Sequence, residues 1–143
     1  MATITYQRPR LYSKQEQAIF SPKRYAVIEG ATKSGKTIAC LSWIVEQALR
    51  GREGQTFWWV APVYPQARIA FRRLRRGLSQ SLYTANESEL TVKLVNGAVV
   101  AFKSGEKPDN LYGEDVFGVV IDEATRLREE SWHAVRSTMT ATR

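Results

Sequence analysis

The chain has 143 residues, 43% of them hydrophobic and 24% charged, which is material for one ordinary domain and excludes a second. A single cysteine, Cys40, excludes an internal disulfide and a cysteine-based zinc site, and no apolar run is long enough to cross a bilayer. Residues 1–10 lack the apolar core of a signal peptide, so the expectation is a protein that stays in the reducing compartment where it is made.

Formal net charge is +7, from 21 Lys and Arg against 14 Asp and Glu, a balance that attracts polyanions. The excess is local: Arg68, Arg72, Arg73, Arg75 and Arg76 fall within nine residues. That density points to a phosphate polymer larger than a nucleotide as partner.

In chain order, Pro9 and Pro22 bracket a short predicted helix. Ser13 followed by Glu16 has the spacing of a capping box, and Ala18, Ile19 and Phe20 give the helix an apolar side. It lies just upstream of a phosphate-loop motif. A glutamine amide there offers a donor and an acceptor to an adenine edge; Gln15 is the first candidate and Gln17 the second, against the plainer reading of a solvated polar face.

Residues 25–29 read as a strand buried on both faces. Gly30-Ala31-Thr32-Lys33-Ser34-Gly35-Lys36-Thr37 then matches G-x-x-x-x-G-K-[ST] at every fixed position, between that apolar run and a helical pattern. The glycines let successive backbone N–H groups approach an anion, and the following helix points its positive end at the phosphates. Lys36 supplies a mobile charge for the β- and γ-phosphates, and the Thr37 hydroxyl a hard oxygen for Mg²⁺. The plainer alternative is a glycine-rich turn carrying a solvated lysine.

Ile38, Leu41, Ile44, Val45, Ala48 and Leu49 form one face of a helix that Gly51 ends. Residues 56–61 are a second apolar strand, stopped by Pro62, whose Trp58 and Trp59 point to opposite faces and are expected to be buried between helix layers. Pro65 suits a first helical turn, and Ala67, Ala70, Phe71, Leu74, Leu78 and Leu82 mark an apolar stripe that predicts a helix as far as Leu82. Off the stripe, Arg68, Arg72 and Arg75 share one face, with Arg76 beside them. This row could track a phosphate backbone or could be a solvated surface.

Residues 89–95 and 98–102 alternate around Asn96-Gly97, a hairpin signal that predicts a type I′ turn and no chemistry. Residues 104–113 read as a polar loop able to move when a ligand binds. Residues 116–121 are a further apolar strand ending in Asp122-Glu123. In open α/β sheets ligands bind at the carboxyl ends of strands, so Asp122 is placed to hold Mg²⁺ and Glu123 to activate the water attacking the γ-phosphate. Asp122 as a helix N-cap is the structural alternative. Residues 129–136 suggest a helix with an acidic start, and His133, the lone histidine, has no companion for a metal role.

Together, residues 12–20 and 24–37, Trp58-Trp59-Val60-Ala61-Pro62 with Gln66, Pro108-Asp109-Asn110-Leu111-Tyr112-Gly113, residues 119–124, Trp132 and residues 138–143 resemble the ATPase part of phage terminase large subunits. The resemblance covers nearly the whole chain. It implies an α/β P-loop NTPase of the additional-strand Asp/Glu type, a mostly parallel sheet flanked by helices, with an inserted β-hairpin. It also implies ATP and Mg²⁺ at Lys36, Thr37 and Asp122, catalysis by Glu123, and adenine contact near Gln15. Double-stranded DNA, a small terminase subunit, a portal protein, a possible homo-oligomeric ring and the host cytoplasm follow from the same likeness; a membrane does not. Residues 1–24 would be the adenine-side segment and 25–143 the ATPase core.

Two departures stand out. The family commonly has an arginine in the phosphate loop, where this chain has Thr32, with Lys33 beside it as the substitute cation that lacks an arginine's fork. The sequence also ends at Arg143, before the family's coupling strand and its nuclease domain, so the core is expected to be C-terminally incomplete. A helicase-like or repair DNA-dependent ATPase, and a nucleotide- or DNA-binding fragment without turnover, are the alternatives.

Overall fold

The computed structural model describes residues 5–20, 27 and 35–140. Of the phosphate-loop motif, Gly30, Ala31, Thr32, Lys33 and Ser34 lie outside the described residues; Gly35, Lys36 and Thr37 lie within them. Val27, the one described residue of the strand expected over residues 25–29, is 91% exposed and in no strand.

Helix α1 (Ser13–Ile19) precedes α2 (Lys36–Leu49), β1 (Thr56–Ala61) and α3 (Tyr64–Gly77), followed by β2 (Tyr83–Asn86), β3 (Thr91–Leu94), β4 (Val99–Ser104), β5 (Val116–Ile121) and α4 (Glu129–Thr140). The strands form one sheet in the order β2-β3-β4-β1-β5. β1 is central to its parallel part, pairing with β4 on one side and β5 on the other, while β2, β3 and β4 continue as an antiparallel meander. An α/β domain with helices on both faces of the sheet is the result.

Alternation along β1 builds the two cores. Phe57, Trp59 and Ala61 face α2 and α3, packing with Ile44, Val45, Phe71, Val100 and Phe102. Trp58 and Val60 face the other way, onto Leu111, Val116, Ala134 and Val135. Both tryptophans are buried, as the period of a strand between two helix layers requires.

Helix α3 stops at Gly77, short of Leu82. Leu78 already has extended backbone, and Leu82 sits in a short turn leading into β2. Both leucines are nevertheless buried, so the apolar stripe is continued by a loop rather than by helix. β2 itself was not anticipated, because its four residues alternate only between half-buried and exposed.

The hairpin of β3 and β4 is present, but its turn is not type I′. Leu94 N–H donates to Ala98 O at 2.8 Å and Gly97 N–H donates to Leu94 O at 2.9 Å, which leaves a loop of Val95, Asn96 and Gly97. Gly97 has φ +88°, while Asn96 is not among the positive-φ residues. This is a turn closed by a glycine bulge. Asn96 is engaged elsewhere: its Nδ2 donates to Ala48 O at 2.8 Å, Leu49 O at 3.1 Å and Gly51 O at 3.2 Å. The hairpin tip thereby satisfies carbonyls left open at the end of α2.

The loop over residues 104–113 is held to the domain at three points. Leu111 is fully buried, Ser131 Oγ donates to Gly105 O at 2.6 Å, and Arg128 Nη1 donates to Glu106 O at 3.1 Å. At the other end of the chain, Arg8 donates to buried Glu46 through Nε at 2.8 Å and Nη2 at 2.7 Å, and the Tyr6 hydroxyl joins them at 3.2 Å. That cluster ties the N-terminal segment, and with it α1, to α2.

Candidate nucleotide site

Two elements end at the same place. The N-terminus of α2 presents Lys36 and Thr37, and the chain leaving β5 presents Asp122 and Glu123. Asp122 N–H still donates to Val60 O at 2.9 Å, so the ladder with β1 holds this carboxylate at the sheet edge. The backbone then turns sharply, with Glu123 at φ 50° and ψ 54°. For a glutamate this left-handed conformation costs on the order of 1 kcal/mol, and such residues concentrate at functional sites.

A cavity of about 100 Å³ lies between these ends and α3, lined by Thr37, Gln66, Ile69, Ala70, Arg73, Asp122 and Glu123. It is large enough for a few waters or a terminal phosphate, not for a whole nucleotide. A wider, open hollow of about 600 Å³ lies on the outer side of α3 among Arg72, Arg75, Arg76 and Glu87. The chemistry favours the smaller one, since the motif residues meet there.

Asp122 is half-buried. Burial is the main reason its carboxyl is pushed above the usual carboxylate range, with the neighbouring Glu123 charge adding to it. The Glu123 backbone N–H, Lys36 and Arg73 act in the opposite direction. Two cations on two helices therefore act on this carboxylate through their charge. Cys40, one turn along α2, has its thiol pushed up to about 11, first by burial and then by Asp122, so it is an inert packing residue. Glu123 is more exposed, and its Oε2 lies 2.9 Å from Arg126 Nη1.

Gln15 is beside this site, though not through the cap expected for α1. Tyr12, not Ser13, is the N-cap residue, and its N–H donates to Gln15 Oε1 at 2.6 Å. The amide nitrogen of Gln15 lies so close to Gly35 that any Cβ there would collide with it. With φ +83°, Gly35 is required by its conformation, and a side chain there would also displace the Gln15 amide. Gln17, the second candidate, is exposed.

Two residues of the cavity were given no role from the sequence. Gln66 Oε1 is buried without a hydrogen-bond partner from the protein. Arg73 was counted only as one of a basic cluster. The spacing of Gln66, Ile69, Ala70 and Arg73 would have placed them on one helix face, had the direction of that face been known.

The outer arginines form a separate group. Arg72 Nη2 lies 3.1 Å from Glu87 Oε1, and Arg68 and Arg75 approach the same carboxylate at 4.0 and 3.9 Å. Arg76 lines the hollow beside them. His133 is exposed and lies 3.6 Å from Glu129, one turn back on α4. Among the described residues, no three His, Cys, Asp or Glu side chains gather as a metal cage.

The architecture is that of an α/β domain whose candidate site lies at the carboxyl end of a parallel strand and the start of a helix. Its structural neighbours are phage large terminase ATPase domains. The ATPase domain of the Thermus phage P74-26 large terminase has a TM-score of 0.67 at 25% identity, with 78% of this chain and 53% of that one covered. A mutant of the same domain gives 0.64 at 25% identity, covering 77% and 52%. The large terminase of a second, thermophilic bacteriophage shares the fold at 16% identity, with a TM-score of 0.69 over 91% of this chain and 36% of that one. The chain spans about half the length of the P74-26 domain. No family model and no curated protein matches the sequence.

Proposed function

We propose that this chain is the Mg²⁺-dependent ATPase core of a DNA-packaging motor of the large terminase kind, a P-loop NTPase of the additional-strand Asp/Glu type. The observation that carries the reading is the meeting of Thr37, Asp122 and Glu123 around one small cavity, with the Lys36 charge acting on Asp122. Residues 25–143 form the core in this reading, and residues 6–20 hold Gln15 on the adenine side of Gly35.

The residues fit a magnesium ion. The Thr37 hydroxyl and the Asp122 carboxylate, hard oxygens on one cavity wall, are the donor types it takes, with water and phosphate oxygens filling the remaining positions. When bound, the ion offsets the charge of the β- and γ-phosphates. Lys36 holds the same phosphates from the helix side, with Lys33 as a second cation in the loop and Gly30, Ala31, Thr32, Ser34 and Gly35 supplying backbone contacts. Glu123 takes the proton of the attacking water as its oxygen bonds to the γ-phosphorus. The bond to the bridging oxygen breaks with its electron pair leaving on ADP. For this, Glu123 has to exchange its contact with Arg126 for one with water.

DNA is the polymer that the outer face of α3 would meet, through Arg68, Arg72, Arg75 and Arg76. A ring of subunits, a portal and a small terminase subunit in the host cytoplasm would complete the assembly, as the sequence resemblance to terminase large subunits implies. One observation favours a second reading, nucleotide binding without turnover: the Glu123 carboxylate is occupied by Arg126.

Mg²⁺-dependent ATP turnover, measured with and without duplex DNA, tests the proposal. Glu123→Gln is expected to lower turnover by roughly 100-fold or more while ATP still binds, and Lys36→Ala to weaken binding itself. Turnover in Glu123→Gln equal to that of the parent would remove Glu123 from the mechanism. ATP binding with no turnover in the parent would favour the second reading.

A further inference from the structure

The cavity contains a polar atom that the protein leaves unsatisfied. Gln66 Oε1 is buried with no hydrogen-bond partner, on the same wall as Arg73 and opposite Thr37, Asp122 and Glu123. Helical spacing explains the wall: Gln66, Ile69, Ala70 and Arg73 stand at i, i+3, i+4 and i+7 of α3 and turn one face to the cavity. Ile69 and Ala70 keep the middle of that face apolar.

An amide oxygen can only accept, so what it lacks is a donor. The carboxylate oxygens across the cavity are acceptors as well. A water molecule suits the gap between them, since it donates once to Gln66 and once to Glu123 and keeps a lone pair for a third direction. Arg73 has the complementary character, a cation with several donors at the edge of a cavity the size of a phosphoryl group. Its charge already reaches Asp122.

Resting on the ATPase reading above, we propose that α3 supplies the γ-phosphate side of the site. Gln66 holds the attacking water by accepting its hydrogen bond, and Arg73 binds the oxygens of the terminal phosphate. Gln66 takes no proton. The proton lost by the water goes to Glu123, and the electron pair of the broken bond leaves on ADP.

The test uses the full chain and fluorescent nucleotide titrations, which need no turnover. Arg73→Gln is expected to weaken ATP binding about tenfold and ADP binding by less than about twofold, because only ATP has the phosphate it contacts. Gln66→Met is nearly isosteric and removes the acceptor. It should leave ATP and ADP affinities within about twofold, weaken the trapped ADP–aluminium fluoride complex about tenfold, and leave the melting temperature unchanged or higher.

An unchanged ATP-to-ADP preference in Arg73→Gln, or unchanged aluminium fluoride trapping in Gln66→Met, overturns the corresponding assignment. A lowered melting temperature in Gln66→Met with trapping intact assigns Gln66 to packing instead. If Lys36→Ala binds nucleotide as the parent does, the ATPase reading fails and this proposal with it. If Lys36→Ala loses binding while the α3 variants behave as the parent, only the present proposal fails.

Discussion

Arg72 and Arg73 are neighbours in α3 and line different hollows. Arg72 meets Glu87 at the outer surface, where Arg68 and Arg75 share the same carboxylate. Arg73, about 100° further round the helix, lines the cavity that contains Asp122 and Glu123. Both groups are exposed to solvent, but Arg73 acts on a half-buried carboxylate, where a charge is felt more strongly than between fully solvated partners. One helix thus carries both a candidate polymer surface and a wall of the candidate nucleotide site, and the direction of each side chain decides which. Between them runs the buried strip of Ala67, Ala70, Phe71 and Leu74 that fixes α3 on the sheet.

That strip is where the comparison breaks most completely. Phe71 is fully buried and packs edge-on against Phe102, with ring centroids 5.6 Å apart. Phe71→Ala is expected to cost roughly 3–5 kcal/mol, a fall in Tm on the order of 10–20 °C by thermal denaturation. Both faces should fail together. If nucleotide and DNA binding survive at temperatures where the variant is half unfolded, α3 is not the element that positions them.

A smaller effect of opposite sign separates the inner face from the outer. The Asp122 carboxyl is held above its unfolded value, chiefly by burial, so the folded state binds its proton more readily. Its contribution to stability is therefore fully present below the unfolded pKa, about 3.9, and is lost as pH rises through the folded value. Asp122→Asn removes that loss. Without nucleotide, it should melt slightly higher than the parent at neutral pH, with the gain vanishing as pH falls toward the unfolded carboxylate value of about 3.9. Added magnesium nucleotide should stabilise the parent and not the variant. A variant that melts lower at neutral pH would show that Asp122 is held by its cations rather than strained by burial.

The two faces were unequally legible in the sequence. Lys36, Thr37, Asp122 and Glu123 could be named as candidates because a motif fixes residue types at fixed spacing, and in the structure the start of α2 and the end of β5 lie together. The arginine face was seen as a cluster, but Glu87 lies across a helix end, a turn and the short strand β2, and no local pattern signals such a pairing. Arg73 and Gln66 were missed for a related reason: periodicity says which residues share a face, and only packing against β1 and β4 says where that face looks. The end of α3 was misjudged because Leu78 and Leu82 keep helical spacing after Gly77 has ended the helix. Asn96 was read as a turn residue by its partner Gly97, when its side chain was needed by the carbonyls of α2.

The smallest change sharpens the comparison from outside. Glu87 is exposed, and the Arg72 hydrogen bond is the first reason its carboxyl is held below the usual range, followed by the charges of Arg72, Arg68 and Arg75. Exposed pairs of this kind stabilise a fold little, so Glu87→Gln should leave the melting temperature nearly unchanged. Its effect belongs to binding. One carboxylate currently offsets one of the guanidinium charges, and a phosphodiester approaching the row has to displace it. Removing that charge should raise affinity for duplex DNA about three- to tenfold at low salt and steepen the salt dependence by roughly one unit in log–log slope, with nucleotide affinity unchanged. Because the arginines hold the Glu87 carboxyl below its usual range, parent and variant should converge only at a pH lower than an ordinary glutamate would need. Equal DNA affinity and equal salt slope in both proteins would leave the arginine row as a solvated surface, and α3 as a helix with one functional face.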